Sequence, residues 1–305
     1  MIFKIIIILI YIITPTLVEA GLLVKPKGVD FLRISPDVRG SSLGEVGVSL
    51  YEPGVSGLYW NPAGISRLTK PEIVFIHHQL IEDIKYEFMG YSVPSKNANV
   101  GITMAYLHMG KIKGRDELRN PYDYNSYDMA TGITYAKKFQ YLAYGVTFKN
   151  IYSKIGSEKT SSFSIDLGMR YNVPYNLNDS LGLGISLSNI KITEYKFIKE
   201  NEELPIIFRL GTHYKRSKTE LLTIVEVISE KDRKLKFGAG LEYPIFRKPE
   251  YENLYLRVGY NSDKNKGLRG GLGIKINRII INYCYEPNNE YLGHTHRVEI
   301  NLSLK

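Results

Sequence analysis

Apolar residues alternate with small or polar ones along most of the chain from about residue 71 onward. Phe163, Ile165, Leu167, Met169 and Tyr171 interleave with Ser162, Ser164, Asp166, Gly168 and Arg170. Leu254, Leu256, Val258 and Tyr260 interleave with Tyr255, Arg257, Gly259 and Asn261. A period of two places each set on its own face of a β-strand. No segment sustains a 3.6-residue period with helix caps. Fourteen alternating segments are predicted, over 71–80, 85–94, 98–109, 126–137, 140–152, 161–173, 180–190, 205–215, 219–229, 234–244, 253–262, 267–277, 279–286 and 294–305. The ninth is the weakest, because Leu221-Leu222-Thr223-Ile224-Val225 barely alternates. Turn residues fill the breaks, as in Pro94-Ser95-Lys96-Asn97 and Glu286-Pro287-Asn288-Asn289.

Alternation alone fits either a soluble sheet or a membrane barrel. The even count and strand lengths near the ~9–11 residues needed to cross a bilayer favour the barrel. So does the face opposite the apolar one, which is rich in Gly and Ser (Gly101, Gly132, Gly145, Gly168, Gly184, Gly240). Glycine weakens a strand, so its repetition points to an inner wall that makes room for something inside. Tyrosines near strand ends (Tyr86, Tyr106, Tyr135, Tyr171, Tyr214, Tyr243, Tyr260, Tyr285) suit the aromatic girdles of such barrels. If the first strand starts on the periplasmic side, the longest connections, 110–125 and 191–204, fall outside, as expected. The connection over 245–252 is an exception, being long on the periplasmic side. The expected fold is therefore all-β: a 14-stranded antiparallel transmembrane barrel over 71–305.

The first twenty residues, MIFKIIIILIYIITPTLVEA, read as a secretory signal. Lys4 forms the n-region, an apolar stretch follows, and Val18-Glu19-Ala20 suits cleavage near Ala20. An uncleaved anchor is the rival, disfavoured because the apolar stretch is short. The expected location is the outer membrane of a diderm bacterium.

Residues 21–70 do not look like barrel strands. Gly and Ser interrupt the segment, and Pro53 and Pro62 break it. Asn61 initiates a turn, and Ala63-Gly64-Ile65 can open a short helix with Pro62 in its first position. A 14-strand barrel is too wide for side chains alone to fill, so this segment is expected to lie in the lumen. Three stretches carry a resemblance: Phe31-Leu32-Arg33-Ile34-Ser35-Pro36-Asp37-Val38-Arg39, then Gly44-Glu45-Val46-Gly47-Val48-Ser49, then Leu58-Tyr59-Trp60-Asn61-Pro62-Ala63-Gly64. Together they resemble the N-terminal signature of the PorV/PorQ family, itself similar to the FadL-type outer-membrane barrels. Leu43 stands where Met is commoner. The resemblance implies a 14-strand barrel with an N-terminal hatch. It makes Trp60, Asn61, Pro62, Ala63 and Gly64 gate candidates and Phe31, Pro36, Asp37, Arg39, Gly44 and Gly47 signature residues. For function it implies one of two roles. The favoured one is a passive uptake channel for hydrophobic small molecules. The other is a PorV-like component of type IX secretion that holds exported proteins for the attachment machinery.

Composition changes this picture little. Of 305 residues, 24 are Tyr, one is Trp and one is Cys. Lone Cys284 excludes an intrachain disulfide. A net charge of +9 is spread over strand ends and turns, including Lys111, Lys113 and Arg115, as suits a surface facing anionic headgroups. A nucleic-acid partner would call for a focused patch and is not expected. Outer-membrane lipid, a hydrophobic ligand and secreted cargo or secretion machinery are the candidate partners. Lys149, Asp166, Arg170, Arg209, Lys236, Glu242, Arg257, Arg269 and Lys275 fall on the inward face. They are expected mainly to hold the lumenal segment by ion pairs, because a buried charge needs a partner. His294 and His296 share a face but fall on the lipid side with Val298, so packing is expected there, not a metal. Nucleotide-binding and hydrolase motifs are missing, and no enzyme, cofactor or metal site is expected.

Overall fold

The computed structural model describes residues 29–80, 84–115, 119–174, 178–197, 200–231, 233–248, 251–263, 267–287 and 294–305. Residues 1–20, expected to be a secretory signal, and the start of the segment expected in the lumen lie outside the described residues. Sixteen strands follow one another: β1 Glu72–Gln79, β2 Lys85–Pro94, β3 Asn99–Arg115, β4 Pro121–Phe139, β5 Leu142–Ile155, β6 Glu158–Val173, β7 Ser180–Lys191, β8 Tyr195–Phe197, β9 Glu200–Glu202, β10 Ile207–Lys215, β11 Leu222–Glu230, β12 Lys236–Lys248, β13 Tyr251–Asn261, β14 Gly267–Ile276, β15 Ile279–Glu286 and β16 Thr295–Ser303. Fourteen of them close into an antiparallel barrel in which β1 pairs with both β2 and β16. β8 and β9 form a separate two-stranded sheet.

The alternation read from sequence decides which way each residue points. Ile102, Ile133, Phe148, Leu167, Leu256 and Leu268 face outward and are exposed. Gly101, Gly132, Gly145, Gly168 and Gly240 face inward and are buried. The exterior is therefore apolar and the interior polar or small, the inverse of a soluble sheet and the arrangement that lipid demands. Along β3, outward apolar positions run from the level of Asn99 to that of His108. Ten residues at ~3.3 Å each, tilted by ~40°, span about 25 Å, the height of a bilayer's apolar band.

Several details differ from the sequence expectation. The 110–125 connection is mostly strand, since β3 and β4 run on to Arg115 and from Pro121. The 191–204 connection contains the β8–β9 hairpin. The connection at 245–252, expected to be long on the periplasmic side, is absorbed, because β12 reaches Lys248 and β13 starts at Tyr251 across two register shifts. Tyr86 points inward and is buried, whereas the other seven tyrosines face outward. Lys275 shares the inward parity but sits next to the turn at 277–278 and is exposed, so it lines no lumen. β11 alternates weakly for a reason. Its inward Leu222 and Ile224 pack against Leu43, Val46 and Leu50 of the N-terminal segment, so both faces are apolar over that stretch.

Residues 29–70 lie within the barrel. They form a 3₁₀ turn at Asp30–Arg33, a short helix α1 at Val38–Ser42, and 3₁₀ turns at Ser56–Tyr59 and Pro62–Arg67. Val38, Leu43, Val46, Val48, Leu50, Trp60, Ala63 and Ile65 are all fully buried. One apolar side, with Phe31, Leu32, Val55, Leu58 and Ile65, meets Val74, Ile76, Phe88, Ala105 and Ala130 of β1–β4. The opposite side meets the charged inner wall of β12–β16.

Candidate functional site

Contact between segment and wall depends on glycine. A Cβ added at Gly168 would fall 2.1 Å from Asn61 Oδ1, and one at Gly145 would fall 2.5 Å from the Pro62 carbonyl carbon. At Gly259 it would meet Gly44 N and Leu43 C, both at 2.1 Å, and at Gly184 it would meet Val48 O at 2.3 Å. The wall's glycines therefore let two backbones touch directly, which no larger residue permits. Gly44 itself needs glycine twice, for its φ of +96° and for its approach to Tyr260 O.

Asp37 organises the segment. It caps α1 by accepting from Gly40 N at 2.9 Å. The same oxygen accepts from Trp60 Nε1 at 2.6 Å, while Oδ1 accepts from Ser56 Oγ at 3.0 Å. Pro36 is buried just before this cap. Gly47 lies under the Trp60 indole, where a Cβ would be 2.2 Å from the ring. Asn61 caps the last 3₁₀ turn, accepting from Ala63 N at 3.0 Å, with Pro62 in the first position. Its amide donates to Val48 O at 2.8 Å within the segment and to Met169 O at 3.0 Å on the wall. Ser186 Oγ donates to Trp60 O at 2.8 Å. Gly64 packs against Pro53. The structure thus brings the gate and signature candidates together, with Phe31 packed in the apolar cluster that holds Leu58 and Ile65.

The inward charges grip this cluster. Arg209 lies over the Trp60 ring at 4.6 Å and pairs with Glu226 at 2.9 Å. Glu226 also accepts from Gly47 N at 2.7 Å and Val48 N at 2.9 Å. Arg170 donates to Ser49 O at 3.0 Å and to Leu50 O. Arg39 makes a two-point contact to Glu242 at 2.8 and 2.7 Å, and Glu242 also pairs with Arg257 at 2.6 Å. Arg269 and Arg297 share Glu45 of the segment and Glu286 of the wall, at 2.6–3.3 Å. Asp166 pairs with Lys149 at 2.8 Å, and Lys236 with Glu230 at 3.0 Å. Glu226, Glu286, Arg297 and Glu299 were missed as candidates. Their inward parity was the available signal, partly hidden in β11 by its apolar run. His294 and His296 face outward and pack on Tyr285, with ring centroids 5.3 and 5.7 Å away.

Above the segment the lumen holds a partly open cavity of about 60 Å³. Leu32, Leu58, Phe31, Tyr86, Phe88 and Ala105 form its apolar wall. Lys149, Asp166, Asn189 and Arg209 form its polar wall. One water needs roughly 10–15 Å³ by this measure, so the space holds several waters or one very small guest.

No protein-family model matches the sequence, and no curated protein matches it. Solved structures are similar in fold. The toluene transporter TodX of Pseudomonas putida superposes with a TM-score of 0.56 at 9% identity, over 91% of this chain and 97% of that one. A FadL homologue from Pseudomonas aeruginosa gives 0.53 at 10% identity, over 94% of this chain and all of the other. At such identity the likeness is one of fold: a FadL-like barrel.

Proposed function

We propose that this chain is an outer-membrane passive uptake channel for hydrophobic small molecules, with residues 29–70 as its hatch. The observation that carries the reading is the lumenal cavity with one apolar and one polar wall, set directly on the segment that fills the lumen. Such a space takes an apolar molecule and orients one polar end. The likeness in fold to a toluene transporter supports the same reading. Asn61 and Trp60 join segment to wall, so releasing them opens the path below. No catalytic step is assigned to any residue.

The test uses the full protein in liposomes. An apolar fluorescent probe should bind in the lumen and cross faster than in protein-free vesicles. Phe88→Asp, which puts a charge into the apolar wall, should lower binding about tenfold or more. Wild-type protein that neither binds nor passes any apolar probe overturns the proposal.

A second reading keeps the PorV/PorQ type. Its support is the signature Phe31–Ser49 and the β3–β6 sheet that stands above the apolar band. Affinity capture from native membranes should then recover secreted proteins together with secretion components.

A further inference from the structure

The upper part of β3 carries Lys111, Lys113 and Arg115 two residues apart. Simple alternation from the outward His108 would turn all three toward the barrel axis and leave Gly110, Ile112 and Gly114 outside. That does not happen. His108 pairs with Tyr127 and Lys111 pairs with Asn125, so Met109 and Gly110 together oppose the single residue Ser126. This β-bulge uses a positive φ of 67° at Gly110 and resets the alternation. The three cations therefore continue the outward face. Lys154 pairs with the outward Tyr127, and Lys159 pairs with Lys154, which adds two more on neighbouring strands. Among the described residues none of the five makes a salt bridge, and Asp123 is the acid on this face. The opposite face is occupied by Tyr122 and Tyr124, whose rings close over Gly114.

Height fixes what this face meets. Directly below the cations, Tyr106, His108, Tyr127 and Tyr152 form a row of ring contacts across β3, β4 and β5, with centroids 5.5–6.2 Å apart. Such a row marks the boundary between lipid chains and headgroups. The amines and the guanidinium then stand at headgroup level, on the side turned toward lipid.

We propose that the outward face of the β3–β6 extension binds the phosphate groups of an outer-leaflet glycolipid. The β-bulge at Met109-Gly110 is the device that turns the cations toward it. The site lies outside the lumen and stands or falls separately from the uptake reading. It rests only on the barrel lying in an outer membrane with β3–β4 outside.

The test is native mass spectrometry of the full, detergent-solubilised protein, titrated with bisphosphorylated lipid A, dephosphorylated lipid A and phosphatidylethanolamine. The bisphosphorylated lipid should bind preferentially. The triple variant Lys111→Gln, Lys113→Gln, Arg115→Gln should bind it about tenfold or more weakly, since each basic group near an anionic surface contributes appreciably. A control with the same charge loss at the other rim (Lys137→Gln, Lys138→Gln, Lys218→Gln) should bind like wild type. Lys138 and Lys218 are exposed and Lys137 is half-buried, and heat-dependent gel migration checks that each barrel has formed. Equal binding by the triple variant and the control overturns the proposal, as does equal binding of phosphorylated and dephosphorylated lipid. Displacement of the lipid by millimolar inorganic phosphate alone also overturns it, because the surface is then a general anion site.

Discussion

Trp60 is the chain's one tryptophan, and its indole lies between Gly47, Asp37 and Arg209. Its fluorescence therefore reports on the lumenal segment alone. Native protein should emit in the blue, as a fully buried indole does. Asn61→Ala removes the amide that joins Val48 O to the wall carbonyl of Met169. Each buried group left unpaired costs about 1–3 kcal/mol. The variant should shift Trp60 emission to the red at lower denaturant than wild type. An unchanged transition would show that Asn61 does not anchor the segment. Glu286→Ala poses a harsher case, since it leaves Arg269 and Arg297 sharing Glu45. Breaking a buried ion pair by removing one partner costs about 3–5 kcal/mol, so a loss of that order is expected in chemical unfolding.

Individual strands show why the inner wall is built unevenly. β13 and β14 place Gly259 and Gly271 where Leu43, Gly44 and Ser42 touch them, and β5 and β6 do the same with Gly145 and Gly168 under Pro62 and Asn61. At Gly259 the obstructing atoms are backbone, so no side chain can swing aside. Gly259→Val should leave the barrel assembled, because outward packing is untouched, while displacing the segment. Two measurements together check it: retained heat-dependent gel migration and new protease cleavage within residues 40–50. β11 carries the complementary lesson. Its sequence looked least like a barrel strand because the first inward positions, Leu222 and Ile224, meet an apolar patch before the charged Glu226.

At the scale of the whole molecule, segment and wall share their charges. Arg39 and Glu45 belong to the segment, whereas Glu242, Arg257, Arg269, Glu286 and Arg297 belong to the wall. The wall's three arginines outnumber its two carboxylates here, so Glu45 of the segment supplies the partner the wall lacks. A chain starting at residue 71 should therefore form either no stable barrel or a conducting one. Planar-bilayer recordings distinguish that from wild type, which should show little steady conductance with its lumen filled. A truncated barrel as closed as wild type would mean that the segment is dispensable for sealing.

The period-two pattern by itself determined the fourteen barrel strands and which residues of nearly every strand share a face. These follow from pleat geometry, which is local. The chain's turns likewise announced Asn61 as a turn residue and Pro62 as the first residue of a helical turn. Only the tertiary structure decided that Tyr86 points into the lumen, that Asp37 ties α1 to Trp60, and that Glu226 and Arg297 hold residues distant in sequence. Only it showed that two residues opposing one in β3 reverse the sense of every side chain beyond them. Such facts depend on which strand lies beside which and on what fills the space between them. Alternation along one strand carries no record of either.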